Sequence, residues 1–292
     1  MDNVIDVRDV NKSFGKKIIL NQITFSVPKG QIIGLLGENG AGKTTLINIM
    51  LGLIKVNSGS ISILDKRNTS AKAFMGVMMQ KDIALKRIKV KEIIQLSQSY
   101  YQQHLSYQEI ITLAQLSDQE NLFLKQLSGG QMRRLSFALA MVGNPQILFL
   151  DEPTNGMDPS SRKRFWEEIL KLKMSGKTIF VTSHHLDELE NVADRFLILR
   201  DHQIIFDGDL MQLRHNTGNA QIDFDSEIDP TIITKLVGAD PIRHLGNHFM
   251  IVTNDTNRIL SALNPLLADI NNIKISQNSL ESIFIDLNQR RK

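Results

Sequence analysis

Gly37 to Thr44 reads GENGAGKT, and the residues on either side decide what that loop can be. Before it stands the apolar run Ile32 to Leu36, and after it TTLINIML places apolar residues at helical spacing. Glycines 37, 40 and 42 let backbone N–H groups turn inward and let a ligand approach closely, while the helix start adds its positive dipole end. Strand, glycine-rich loop and helix in that order make the pattern G-x-x-x-x-G-K-[ST], a nest for a polyphosphate. The nest is built from Gly37, Asn39, Gly40, Ala41 and Gly42. Lys43 is expected to reach the β- and γ-phosphates, Thr44 to place its hydroxyl on a bridging Mg2+, and Thr45 to add a phosphate contact.

A loop of this kind belongs in a parallel sheet, and the first two-thirds of the chain is patterned for one. Short apolar strands alternate with helical stretches: QIIGLLG with TTLINIMLGL, QILFLD with SSRKRFWEEILKLK, TIFVTS with LDELENVADR. IDVRDVNKSF, KIILNQITFSVP and GSISILD alternate or are β-branched, which predicts an antiparallel patch beside that sheet. From about 81 to 145 nothing reads as a strand, and VKEIIQLSQSYYQQ and MRRLSFALAMV predict a helical insert. RHNTGN, Arg214 to Asn219, reads as a polar linker and sets a boundary between a first domain, 1–212, and a second, 213–292. The second predicts βαββαβ and a closing helix: Asp229 and Pro230 start one helix, Gly246 and Asn247 join two strands, and Leu280, Ile283, Phe284 and Leu287 mark one face of the last helix. That order points to a small α+β, ferredoxin-like domain.

At 292 residues and 42% apolar content, two domains of unequal size fit. No apolar run approaches the roughly 20 residues of a membrane span, and the acidic, alternating start lacks the layout of a signal peptide, so work across a membrane requires a partner. The chain has no cysteine, which excludes disulfides, thiol nucleophiles and thiolate metal sites and suits a reducing cytoplasm. Net charge is +3 with Lys and Arg scattered, so nucleic acid is not an expected partner.

Two further stretches carry chemistry. ILFLDEP, 147–153, is an apolar strand ending in two acids: Asp151 is placed to face the Mg2+ shell, and Glu152 is the group able to polarise an attacking water. In LSGGQMRRLSFALA, Ser128, Gly129, Gly130 and Gln131 have the Ser-x-x-Gln form of a capping box at a second glycine-rich helix start. One chain with one complete phosphate loop has use for a second anion-binding helix end if that end serves another subunit's nucleotide.

With these in order, the chain resembles the nucleotide-binding subunit of an ATP-binding cassette (ABC) transporter over about residues 2 to 210. GENGAGKTT is similar to its Walker A motif, LSGGQ to its signature and ILFLDEP to its Walker B. The resemblance implies a P-loop NTPase α/β cassette with a parallel core sheet, an antiparallel β subdomain and a helical subdomain. It makes Gln80 the Q-loop glutamine that senses metal and γ-phosphate, Asp158 a D-loop residue at a dimer interface, and His184, chosen over His185, the switch histidine. Phe14 takes the place of the adenine-stacking aromatic. Two subunits, as homodimer or heterodimer, would sandwich two ATP molecules with Mg2+, each between Lys43's loop and the partner's Ser128 to Gly130, and hydrolysis would let them part.

The same resemblance implies an ATPase on the cytoplasmic face of the cell membrane, bound to an integral-membrane permease subunit near Gln80. Met75, Met78 and Met79 just before it read as core rather than contact surface. SLESIFIDL near the C-terminus resembles the ending of ABC-2 type exporter ATPases, which move drugs, antimicrobial or cytotoxic peptides, ions or lipids outward. The competing reading is a soluble ABC-type ATPase not coupled to transport.

Overall fold

A computed structural model of the chain describes residues 3–80, 85, 87–217, 220–238, 241–277 and 279–289. It divides into two compact units, Met1–Asp207 and Gly208–Lys292.

The first unit opens with β1 (Asn3–Phe14) and β2 (Lys17–Pro28), antiparallel partners turned at Gly15, whose φ of 58° is left-handed. β3 (Ile32–Leu36) follows, buried along its whole length, as expected of a strand covered on both faces. After the phosphate loop come α1 (Lys43–Met50), then β4 (Ser58–Ile63) and β5 (Lys66–Arg67). The antiparallel sheet runs β2-β1-β4-β5. β6 (Met75–Met78) then enters a different sheet, burying Met75 and Met78 in the core, where their sequence reading put them.

Between β6 and the next strand the described elements are helical: α2 (Val90–Gln98), α3 (Tyr107–Ala114) and α4 (Gly129–Ala140). Ile93, Ile94, Ile110, Ile111, Leu135 and Ala138 pack these helices on one another as a separate core. The chain returns through β7 (Ile147–Asp151), α5 (Pro159–Met174), β8 (Thr178–Thr182), α6 (Leu186–Val192), β9 (Arg195–Arg200) and β10 (Gln203–Gly208). The second sheet has the order β10-β9-β3-β8-β7-β6. Its strands from β9 to β6 are parallel. The main core lies between the two sheets and α1, where Phe25 stacks on Phe180 with centroids 6.1 Å apart. This order positions the site: β3, β8, β7 and β6 are neighbours, so their C-terminal ends open side by side.

The second unit starts with α7 (Leu210–Thr217), and here the sequence reading needs correction. Arg214 to Thr217, expected to begin a linker, continue a helix. Asp209 and Gln212 cap it reciprocally, each side chain accepting the other's backbone N–H, at 2.8 and 3.1 Å, and Leu213 is buried. The unit boundary accordingly falls before this helix. Gly218 and Asn219, also assigned to the linker, lie outside the described residues.

β11 (Ala220–Ser226), α8 (Pro230–Val237), β12 (Ile242–Leu245), β13 (His248–Thr253), α9 (Thr256–Leu263) and β14 (Ile270–Gln277) follow. Their sheet has the order β12-β13-β11-β14 with antiparallel neighbours, the split βαβ arrangement of a ferredoxin-like unit. Ile222, Phe224, Phe249 and Ile251 point to one face and meet Ile233, Val237, Ile259 and Leu263 of α8 and α9. Asp229 caps α8 by accepting the Thr231 N–H, and Gly246, at φ 58°, makes the turn between β12 and β13. The chain closes with α10 (Leu280–Gln289), which buries Leu280 and Ile283; the side chain of Leu287 lies outside the described set.

Candidate functional site

A cleft of about 270 Å³ opens at the C-terminal ends of those four neighbouring strands. Glu38, Asn39, Gly40, Gly42, Lys43, Thr44 and Thr45 line it from the loop after β3, Gln80 from the end of β6, Asp151 and Glu152 from β7, and His184 from the end of β8. Residues as far apart in sequence as Glu38 and His184 meet because parallel strands discharge their loops on one side.

The loop's shape depends on glycine at two points. A Cβ at Gly37 would sit 2.5 Å from the Leu199 carbonyl oxygen, and Gly42, at φ 112°, has Ile19 and Leu20 at 3.0 Å from where a Cβ would stand. Gly37 and Ala41 form the base of the loop rather than its lining. Lys43 Nζ donates to the carbonyls of Gly37 (2.6 Å) and Glu38 (3.1 Å), so its ammonium is held inside the loop it ends. Burial pushes the Lys43 pKa down, and the charges of Glu152 and Asp151 oppose that shift.

Opposite the loop, Asp151 and Glu152 are both buried. Thr182 donates its hydroxyl to Asp151 Oδ1 at 2.6 Å; Asp151 Oδ2 is buried with no hydrogen-bond partner. An unpartnered anionic oxygen at that depth suits a cation. With the Thr44 hydroxyl and Gln80 on the same cleft, the donor set fits Mg2+, which takes few protein oxygens and completes its shell with phosphate and water.

Glu152 has a left-handed backbone, φ 53°, and is contacted by three residues, Thr182, Arg133 and His184. Its N–H is donated to Thr182, to both hydroxyl (3.1 Å) and carbonyl (3.2 Å) oxygens. Its carbonyl accepts from the Arg133 guanidinium. Its side-chain Oε2 accepts the His184 N–H at 3.0 Å, and Oε1 lies 3.3 Å from His184 Nε2. The His184 ring is half exposed on the cleft, whereas His185 begins α6 and does not line it.

The second glycine-rich helix start stands apart from this cleft. Ser128 caps α4 by accepting the Gln131 N–H at 3.2 Å, and Gln131 Oε1 accepts the Ser128 N–H at 2.8 Å. Ser128 and Gly129 are exposed, and none of Ser128, Gly129, Gly130 and Gln131 lines the cleft of its own chain. Asp158 caps α5: the Ser160 and Ser161 hydroxyls and the Ser161 N–H all donate to it and hold its carboxyl well below the usual carboxylate range. Phe14, at the end of β1, is 51% exposed with Lys12 Nζ 4.8 Å from its ring centre, and it does not line the cleft.

Four contributors were not among the site residues expected from the sequence, the first being Glu38, which lines the cleft and whose carbonyl accepts from Lys43. Ile19 lines the cleft beside Gly42. Thr182 is directly paired with Asp151 across β7 and β8, which only the sheet order discloses. Arg133 was detectable as a charge on the buried face of a helix, sharing that face with Phe137 and Ala140.

Comparison with known proteins adds kinship. The ABC transporter family pattern matches residues 20–155. The chain is 31% identical, over 98% of its length and 93% of the relative's, to the Nod factor export ATP-binding protein I of Rhizobium etli. It is 37% identical to the protein of that name from Bradyrhizobium diazoefficiens over 67% of each chain. With the one from Sinorhizobium fredii it shares 34% identity over 71% of this chain and 63% of that protein's length. Among solved structures, the ATP-binding subunit of an ABC transporter superposes with TM-score 0.67 at 24% identity, covering 73% of this chain and 92% of that one. A nucleotide-free ATP-binding cassette from an ABC transporter gives TM-score 0.63 at 25% identity, over 71% and 92%.

Proposed function

We propose that this chain, which belongs to the ATP-binding subunits of ABC transporters, binds ATP between two copies of its first unit and hydrolyses it to drive export through a membrane partner. The observation that carries the reading is the cleft itself, where Lys43, Thr44, Gln80, Asp151, Glu152 and His184 converge on a phosphate loop. At about 270 Å³ it lies just under the ~300–1,000 Å³ typical of pockets that enclose a ligand. It is one wall of a site, and the exposed, capped start of α4 from a second copy supplies the other.

In this reading the loop N–H groups and Lys43 bind the β- and γ-phosphates, and Thr45 adds a phosphate contact. Thr44 and Asp151, with Gln80 adjacent, would hold Mg2+, and a metal bound there would supply charge neutralisation to the phosphates. Glu152 orients and polarises the attacking water, and His184, hydrogen-bonded to Glu152, contacts the γ-phosphate. Ser128, Gly129, Gly130 and Gln131 of the second copy face the same phosphates, with Asp158 near the contact and Phe14 against the adenine. Loss of the γ-phosphate removes what joins the copies, and they separate.

Among the described residues no helix is long and apolar enough to cross a membrane, so transport needs a permease subunit, which would dock on the helical insert beside Gln80 at the cytoplasmic face. Export is supported by the names of the relatives, which are export ATP-binding proteins. Cargo choice rests with the permease. The test is sedimentation of the Glu152→Gln chain: a dimer in Mg-ATP and a monomer in ADP is expected, and a monomer in both overturns the sandwich.

A further inference from the structure

Arg133 is a guanidinium buried to 4% exposure in α4, one turn beyond the Ser128–Gln131 cap. What it grips is unusual for a buried charge. Nη1 donates to the carbonyls of Met79 (3.0 Å) and Gln80 (3.1 Å), and Nη2 to those of Asp151 (3.3 Å) and Glu152. The planar fork therefore bridges the chain ends of neighbouring strands β6 and β7, and its donors end on the backbone of Gln80, Asp151 and Glu152, which line the cleft, and of Met79 next to Gln80. Glu152 is the residue that most needs such a grip. Its left-handed φ is costly for a side-chain-bearing residue, and such conformations persist only where surrounding contacts over-determine them.

We infer that Arg133 is a positioning residue: it ties the aim of Glu152 and Gln80 to the placement of α4, so that seating the α4 start against a second copy's nucleotide adjusts the catalytic groups of its own cleft. This rests on the reading of Glu152 as the group that activates water. The physical chain is short. The α4 start carries the Ser128 cap, Arg133 rides on the same rigid helix, and the guanidinium contacts transmit a shift of that helix to two carbonyl pairs. A methyl-ended side chain at this place keeps the helix and the volume but leaves the four carbonyls without their shared donor.

The test uses the full chain with Arg133→Met. Turnover is expected to fall about 100-fold, the scale on which a misplacement of about 1 Å acts, while ATP affinity stays within about twofold because the phosphate loop is not touched. A second readout separates positioning from general damage. In a Glu152→Gln background, Arg133→Met should add no further loss to the residual rate, because the group it aims is already disabled. Unchanged turnover in the folded variant, a loss of ATP affinity in step with turnover, or the same loss in both backgrounds overturns the inference. If Arg133→Met does not fold, Arg133→Lys is read by the same measurements, since one ammonium cannot span both carbonyl pairs; parent turnover in that variant overturns it. Normal turnover in Glu152→Gln alone would instead remove the premise, so the two failures are distinguishable.

Discussion

His184 holds Glu152 at both ends of its carboxylate, donating its backbone N–H to Oε2 at 3.0 Å while its ring Nε2 lies 3.3 Å from Oε1. The first contact survives any substitution at 184 that keeps a backbone N–H; the second depends on the imidazole. Replacing Glu152 by glutamine keeps the shape and removes the group able to polarise water, so kcat should fall by about 10²–10⁴-fold with ATP affinity nearly unchanged. His184→Ala should also slow turnover yet leave Glu152 in place, because the backbone contact remains. Steady-state hydrolysis alongside equilibrium nucleotide binding checks both, and parent-like turnover in Glu152→Gln would falsify the assignment.

Gly129 tests the two-copy site without disturbing the chain that carries it. A Cβ there would meet nothing within 4 Å, its φ is not left-handed, and it occupies the first turn of α4. Gly129→Leu should therefore leave the thermal midpoint unchanged or slightly raised, since leucine is the better helix former by roughly 0.5–1 kcal/mol. ATP-driven dimerisation and turnover should nevertheless be lost, because the side chain would occupy the space where a partner's phosphates approach. Calorimetry and sedimentation on the same sample decide it; a stable variant that still dimerises and turns over points away from this helix start.

How far the sequence could be read depends on which physical signal each element carries. β3 and β7 were legible because buried parallel strands are short unbroken apolar runs, and the loop after β3 because its spacing leaves few alternatives. The reciprocal Ser128–Gln131 cap and the Asp229–Pro230 helix start were legible for the same local reason. α7 was missed because its polar second half looks like loop composition, and only the Asp209–Gln212 cap and buried Leu213 make it helical. Non-local facts were out of reach: the pairing of Asp151 with Thr182 follows from strand order, and the left-handed Glu152 from contacts with Thr182, Arg133 and His184.

The second unit depends on an aromatic pair across its central strands. Phe224 of β11 and Phe249 of β13 are register partners, both buried, with rings 5.3 Å apart and 9° from parallel. Phe224→Ala removes a buried ring from a small core and should destabilise this unit by about 3–5 kcal/mol. Amide exchange in β11, β13 and β14 should accelerate, while β3, β7 and β8 of the first unit keep their protection. Unchanged exchange in the Phe224→Ala sheet would show that the pair is dispensable.

Lys43 gives the cleft a proton linkage with a definite sign. Burial lowers its pKa from the ordinary 10.5, against the raising effect of Glu152 and Asp151, so the neutral amine forms at lower pH in the folded chain than in the unfolded one. Between the two values the unfolded chain binds more protons at this group, and its contribution to stability rises with pH across that alkaline window. A bound triphosphate reverses the preference, because its charge favours the ammonium. Nucleotide binding at alkaline pH should then take up a fraction of a proton, and the uptake should shrink as pH falls below the lowered pKa of Lys43. Titration calorimetry in two buffers of different ionisation heat measures the uptake directly. Lys43→Met should bind ATP more weakly and lose the alkaline uptake; the same uptake in that variant would assign the proton to another group in the cleft.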